Sequence, residues 1–84
     1  MATNTPENEL RIRKRLLILG FKNIQKKYGR VHIPIISADK NGMKIWVEIN
    51  NNFYQTAKKY NSNINRTTGT ISELLNDAYS YRFE

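Results

Sequence analysis

The 84-residue sequence contains no cysteine, so neither a disulfide framework nor a cysteine-ligated zinc site can stabilise the fold. A chain of this length has little apolar surface to bury, and only 39% of its residues are hydrophobic. Small chains without such covalent or metal cross-links commonly share a core with a second copy. We therefore expect one small domain at most, completed by homodimerisation.

Long apolar runs are also missing. The opening stretch MATNTPENEL has no hydrophobic region typical of a signal peptide, and no later segment approaches the length needed to span a membrane. These absences predict a cytoplasmic protein without a membrane partner.

The combinations of residues that carry enzyme chemistry are sparse. His32 is the only histidine, and its nearest acidic neighbour along the chain is Asp39. Nothing in the sequence pairs Ser72 or Ser80 with a base, and there is no glycine-rich phosphate loop. We expect no enzymatic activity, no metal and no cofactor, and no small-molecule ligand is evident from the sequence.

Acidic residues are scarce and unevenly placed. The chain has 14 Lys and Arg residues against 7 Asp and Glu residues, which gives a net charge of +7. Residues 1–42 hold nine of the bases and three of the acids, whereas residues 43–84 are nearly neutral. This excess favours a polyanionic partner or an anionic membrane surface, bound mainly through the first half.

The first half is predicted to begin with a helix. Thr5, Pro6 and Glu7 suit a helix start, and Gly20 with Phe21 suits a helix end after about Leu19. The segment 21–28 is predicted to form a short turn or helix. Val31, Ile33 and Ile35 alternate with polar or proline positions, which predicts an extended or edge strand. Residues 37–42 are predicted to form a loop.

The stretch MKIWVEINNNF, residues 43–53, opens the second half. Ile45, Val47 and Ile49 alternate with Lys44, Trp46 and Glu48, which predicts a strand with one buried face. The other face is unusual because it carries a cation, an indole and an anion in a row.

Two helices are predicted after this strand. The spacing of Phe53, Ala57, Tyr60 and Ile64 favours an amphipathic helix, broken by residues 65–69. Thr70 and Glu73 form a capping-box pattern at the start of the second helix. The inner side of that helix would consist of Ile71, Leu74, Leu75, Ala78, Tyr79 and Phe83.

The order strand, helix, turn, helix in residues 43–83 resembles the ribbon-helix-helix superfamily of the methionine and Arc repressors. The matching stretches are MKIWVEINNNFYQTA and ISELLNDAYSYRF. The resemblance implies a mostly α, α+β fold: an intertwined homodimer of ribbon-helix-helix modules (residues 43–84), preceded by a basic helix and extended arm (residues 1–42).

The resemblance also implies a DNA site. Members of the family insert a two-stranded β-ribbon into the major groove, so Lys44, Trp46 and Glu48 would read base edges. A phosphate would bind at the start of the second helix. The expected phosphate contacts, including the basic side chains of the arm, are Thr70, Ile71, Ser72, Arg66, Arg11, Arg13, Lys14, Arg15, Lys26, Lys27 and Arg30.

Two positions depart from the family pattern. Asn50 stands where proline is common, and Glu48 stands where a basic or small polar residue is common. Glu48 could accept a hydrogen bond from cytosine, or it could pair with Lys44 along the same face.

These observations predict a sequence-specific double-stranded DNA-binding protein, most simply a transcriptional repressor at a palindromic site, in a bacterial plasmid or phage setting. Plasmid partition or conjugation is a related possibility. The alternatives are a protein-interaction module that inhibits a host or nucleic-acid enzyme through Trp46 and the tyrosines, and a membrane-docking helix at residues 6–19. A different topology, in which 31–36 pairs with 43–49 as a hairpin, would pack Trp46 and remove the groove-reading face.

Overall fold

The computed structural model describes residues 6–84, so the expected cap at Thr5 lies outside the described part. Helix α1 (Pro6–Ile18) is followed by strands β1 (Lys22–Tyr28), β2 (Pro34–Lys40), β3 (Met43–Glu48), β4 (Phe53–Tyr60) and β5 (Asn63–Thr70), then by helix α2 (Ile71–Leu74). Short 3₁₀ segments span Arg30–His32 and Asp77–Phe83. Within residues 6–84, no helix is long and apolar enough to cross a membrane.

The five strands form one antiparallel sheet in sequence order, with β3 at its centre. This contradicts the predicted mostly α, ribbon-helix-helix fold. The physical reason lies in β3, which pairs with β2 along one edge and with β4 along the other. Its backbone groups are satisfied within the chain, so β3 cannot form a two-stranded ribbon with a second copy.

The predicted first helix is confirmed, with an end one residue short of Leu19. Gly20 has a φ of +92°, the left-handed conformation that glycine adopts most readily. The amide of Phe21 donates to the Leu16 carbonyl at 2.9 Å, and the amide of Gly20 donates to the Leu17 carbonyl at 3.0 Å. This is the Schellman pattern, and the buried Phe21 side chain supplies its apolar contact.

The turn or helix predicted for 21–28 is wrong, because this segment is strand β1. Its pairing with β2 is interrupted between Lys22 and Gln25, where Asn23 has a φ of 55°. A bulge of this kind adds a residue and twists an edge strand. The two-residue alternation that would predict a strand is therefore interrupted in the sequence.

Strand β2 pairs with β3 in an antiparallel hairpin, so the alternative that joined 31–36 to 43–49 has the correct strand pairing. Its expected packing of Trp46 is wrong, because Trp46 stays partly exposed. Pro34 opens the strand, where a missing amide does little harm. The predicted 37–42 loop is wrong, because β2 continues to Lys40. Only Asn41 and Gly42 turn, with φ values of 45° and 82°, as a two-residue hairpin requires.

The helix predicted for 53–64 is also wrong, since this segment forms β4 and part of β5. Tyr54 and Thr56 are buried and point to the same side as Val47 and Ile45, their partners in β3. Buried residues therefore recur every two positions, as in a strand. The spacing of three to four between Phe53, Ala57 and Tyr60, which suggested a helix, is coincidental. A β-branched, aromatic-rich composition agrees with strands.

The predicted capping box is confirmed at the start of α2. The amide of Glu73 donates to Oγ1 of Thr70 at 3.2 Å, and the amide of Thr70 donates to Oε1 of Glu73 at 3.0 Å. The helix is much shorter than predicted, and the chain continues as the second 3₁₀ segment. Leu74 and Phe83 are buried as expected, whereas Ala78 is exposed.

The helices cover only one face of the sheet. Ile12 and Leu16 of α1 and Leu74 and Phe83 of the C-terminal segment are almost fully buried. They join one apolar cluster with the inward residues of the strands, Ile36, Ala38, Met43, Ile45, Val47 and Tyr54, together with Phe21 and Ile49. This layer buries one side of every central strand, and the helices do not cover the opposite side.

Candidate nucleic-acid interface

The side of the sheet away from the helices is called the open face below. Strand register places its residues, because directly paired residues point to the same side of a sheet. On the described strands, the open face consists of Lys22, Gln25, Lys27, Ile35, Ser37, Asp39, Lys44, Trp46, Glu48, Phe53, Gln55, Ala57, Lys59, Ile64, Arg66, Thr68 and Thr70.

Trp46 lies at the centre of the open face. It pairs with Ser37 on one side and with Gln55 on the other, and it is partly exposed. Ser37 is only 3% exposed, so this small residue is covered by its larger neighbours. Nζ of Lys44 lies 5.9 Å from the centre of the indole ring, in a cation–π contact. The prediction that Lys44, Trp46 and Glu48 share a face opposite the core is confirmed by the burial alternation.

A second aromatic ring lies beside Trp46. Phe53 pairs with Glu48, and it is therefore the diagonal cross-strand neighbour of Trp46. Phe53 is partly exposed. Two partly exposed rings on adjacent strands offer flat apolar surface on the same face of the sheet.

Glu48 has a hydrogen-bond partner that differs from the two expected from the sequence, which were cytosine and Lys44. Its Oε1 accepts a hydrogen bond of 2.8 Å from Nδ2 of Asn51, in the turn between β3 and β4. Among the described residues, no ion pair joins Glu48 to Lys44. Glu48 therefore holds the β3–β4 turn at the rim of the open face, between Ile35 and Phe53.

Cations outnumber anions on the open face. The basic residues are Lys22, Lys27, Lys44, Lys59 and Arg66, whereas the acidic residues are Asp39 and Glu48. Asp39 accepts a weak hydrogen bond of 3.5 Å from Nδ2 of Asn23. The balance is positive. Lys44 adjoins Trp46, whereas the other four cations lie on β1, on β5 and near the end of β4.

The predicted phosphate contacts are not brought together. Lys27 and Arg66 lie on the open face with Lys44, but Arg11, Arg13 and Lys14 lie on α1, in the opposite layer. Arg30 is exposed in the connection between β1 and β2. Nζ of Lys26 forms an ion pair of 2.6 Å with Oε1 of Glu9, and hydrogen bonding to Glu9 raises the pKa of this lysine.

Arg15 has a structural role. Its side chain is only 9% exposed, and Nη1 lies 2.8 Å from Oδ1 of Asp77. Its Nε donates to the Leu74 carbonyl at 2.9 Å, and Nη2 donates to Oγ of Ser80 at 2.9 Å. The guanidinium therefore joins α1 to the C-terminal segment and is turned away from solvent anions.

The start of α2 is largely occupied by its own cap. Besides the hydrogen bonds between Thr70 and Glu73, the amide of Ile71 donates to the Asn52 carbonyl at 3.2 Å. The Thr70 amide, followed by the Arg82 side chain, lowers the pKa of Glu73 despite partial desolvation. Ser72 is exposed beside them, but the four-residue helix offers little dipole to an anion.

The open-face residues that were missed from the sequence include Phe53, Gln55 and Lys59. Their signal was the alternation of Phe53, Gln55 and Ala57 with Tyr54, Thr56 and Lys58, which the helical spacing obscured. No group of His, Asp and Glu residues suited to a metal ion is found within residues 6–84. Comparison with family models, with curated proteins and with solved structures gives no match, so the family resemblance stays a prediction.

Proposed function

We propose that the protein binds single-stranded nucleic acid on the open face. The observation that carries this proposal is Trp46, which is partly exposed at the centre of a cationic sheet with Lys44 over its ring and Phe53 beside it. Sheets of this kind bind single strands by stacking bases on aromatic side chains while cations neutralise the phosphates.

The dimensions of the sheet favour a single strand over a duplex on this face. Five strands spaced by 4.7–4.9 Å span about 19 Å from the first to the last. The major groove of B-DNA is about 12 Å wide and admits an α-helix or a two-stranded ribbon. The open face is too broad to enter that groove, but a single strand can lie across it.

The polar residues around the rings suit this role. Gln25 and Gln55 flank the central row at Ser37 and Trp46, and their amides can donate and accept hydrogen bonds at base edges. Lys27 and Arg66 lie toward the two edges of the sheet, on β1 and β5. Cations at both edges provide contacts for the backbone of a strand that crosses the sheet.

Double-stranded DNA is the second candidate, and a different feature favours it. The β4–β5 hairpin extends past β3, whose pairing with β4 ends at Lys58. The projecting tip is a two-stranded ribbon whose residues, Lys59, Tyr60, Asn61, Ser62, Asn63 and Ile64, are all exposed. A ribbon of this width fits the major groove, and asparagine amides suit adenine. The roles of transcriptional repressor and plasmid accessory protein depend on this mode.

The two candidates are separated by a binding assay with the full chain. Fluorescence anisotropy is measured with labelled oligothymidine, with the matching oligoribonucleotide and with a duplex of random sequence. The proposal expects tighter binding to the single strands than to the duplex, with strong weakening by salt. Tight duplex binding that is lost in Asn63→Ala and retained in Trp46→Ala would favour the hairpin tip and overturn the proposal.

The homodimer stays a proposal. In this fold the dimer contact would form at an edge strand of the sheet and not at β3. Only β1 and β5 have unpaired edges in the described sheet. The edge of β1 carries a bulge and three lysines, which discourage pairing, whereas β5 runs in unbroken register with β4 and has one charged residue, Arg66. A second copy would pair along β5 and double the width of the open face.

A further inference from the structure

The outer side of α1 carries exposed apolar residues that the core does not use. Leu10 is 52% exposed, Leu17 is 64% exposed and Ile18 is 74% exposed. Leu10 and Leu17 are seven residues apart, which places them two turns apart on one stripe, about 10 Å along the axis. The buried residues Ile12 and Leu16 lie on the opposite side of the helix.

Basic side chains flank this stripe. Arg13 and Lys14 lie on either side of the line from Leu10 to Leu17, and Arg11 lies near Ile18. All three of these basic residues retain solvent exposure, and none of them forms an ion pair in the described part of the chain. Glu7 is the one acidic residue on this side, a turn before Leu10. We call Leu10, Leu17, Ile18, Arg11, Arg13 and Lys14 the α1 surface.

Nucleic acid alone does not account for the α1 surface. A phosphate backbone requires the cations but gains nothing from three exposed aliphatic side chains at their centre. An apolar seam bordered by charge is instead the pattern that one helix presents to another. The helical layer also separates this surface from the open face, so both can be occupied at once.

We propose that the α1 surface binds an amphipathic helix of a partner protein whose apolar stripe is bordered by carboxylates. Charge complementarity selects this partner, because three cations border the apolar seam. A second copy of this chain is disfavoured, since paired α1 helices would bring Arg13 and Lys14 against like charges. A membrane is disfavoured, since three aliphatic residues without an aromatic make a narrow face for interfacial insertion.

The neighbouring groove extends the surface. Ile18 and Leu75 line a shallow depression between α1 and the C-terminal segment, together with Arg11 and Lys14. Arg15 and Asp77 also line it and are already paired with each other. A partner helix lying along α1 can place one further apolar side chain against Leu75.

The test measures binding of a synthetic three-heptad peptide, with leucines at its a and d positions and glutamates at its e and g positions, to the full chain. Isothermal titration calorimetry is expected to give saturable binding. Leu17→Ser should weaken it about tenfold or more, as expected for one buried leucine. Lys14→Glu should weaken it as well. Both side chains are largely exposed, so neither variant should disturb the fold.

Val31→Ser is the matched control, because Val31 is 88% exposed in the β1–β2 connection, away from α1. Its peptide affinity should equal that of the wild type. The proposal is overturned if Leu17→Ser binds the peptide normally, or if a leucine-free polyglutamate peptide binds equally well. It is also overturned if phosphatidylserine vesicles bind through Leu17 while the peptide does not. Oligothymidine affinity should be unchanged in Leu17→Ser, so failure here is distinct from failure of the nucleic-acid proposal.

Discussion

Trp46 is the residue on which the nucleic-acid proposal depends most. We expect Trp46→Ala to weaken oligothymidine binding by about 1–3 kcal/mol, the usual value of one stacked base. Anisotropy titration of the full chain measures this directly. Tyr28→Ala is the control, because Tyr28 is 63% exposed at the outer strand but lies away from the central rings. Equal losses in both variants would contradict a specific stacking role for Trp46.

Gly69 makes a prediction about packing. A β-carbon at this position would lie 2.5 Å from Cε2 and 2.7 Å from the hydroxyl of Tyr54, a side chain that is fully buried. Gly69→Ala should therefore destabilise the fold by about 1–3 kcal/mol through overpacking. Urea unfolding measures the loss, and Thr68→Ala, on an exposed neighbour, should change stability much less. An unchanged midpoint for Gly69→Ala would contradict the close approach of β5 to Tyr54.

At the scale of elements, α1 is held to the C-terminal segment by Arg15. Arg15→Ala removes three hydrogen bonds from a nearly buried guanidinium and leaves the Leu74 carbonyl without that donor. We expect a loss of about 2–3 kcal/mol in unfolding free energy. Arg13→Ala, on the exposed side of the same helix, should cost little. Similar midpoints for the two variants in urea would show that Arg15 does not join these elements.

The cap of α2 predicts a dependence on pH. The pKa of Glu73 is held below its ordinary value by the Thr70 amide and by Arg82. Its contribution to stability is therefore complete above the ordinary pKa and is lost as the pH falls through the lower folded value. Thermal melts from pH 6 to pH 3 should bring the wild type closer to Glu73→Gln. A constant difference between the two proteins across this range would contradict the prediction.

The helices and strands differ in how well the sequence predicted them. The α1 helix, the β3 alternation and the Thr70–Glu73 cap depend on neighbours in sequence, and all three were predictable. The β4–β5 hairpin was not, because Phe53, Ala57 and Tyr60 satisfy a helical spacing while Tyr54 and Thr56 satisfy a strand. Only tertiary pairing with β3 decides between them. Of the candidate site, Lys44 and Trp46 were found, whereas Phe53 and Gln55 required the sheet register.

At the scale of the whole molecule, the charge is divided between two surfaces. The open face carries five cations and two anions on the same side as its rings, and α1 presents a separate basic seam on the opposite layer. The domain division drawn at residue 42 falls within the β2–β3 turn, and strands from both sides share one sheet. The basic first half is therefore part of the same folded unit as Trp46.

The assembly prediction also belongs to this scale. If β5 pairs with β5 of a second copy, a second cation on this strand should make the dimer dissociate. Thr68→Lys makes this change, because Arg66 is the only charged residue of β5 in the wild type. Gln25→Lys makes the same change on β1 and should leave the dimer intact. Sedimentation velocity at micromolar concentration distinguishes these outcomes. A wild-type protein that sediments as a monomer would contradict pairing along β5.

The most direct test of the central claim uses the intrinsic fluorescence of Trp46, which is the only tryptophan in the chain. The full-length protein is titrated with oligothymidine at low salt while the indole emission is recorded. Stacking of a base on Trp46 predicts saturable quenching that is reversed by added salt. Emission that stays constant through the titration would contradict the account, whether or not the oligonucleotide binds elsewhere.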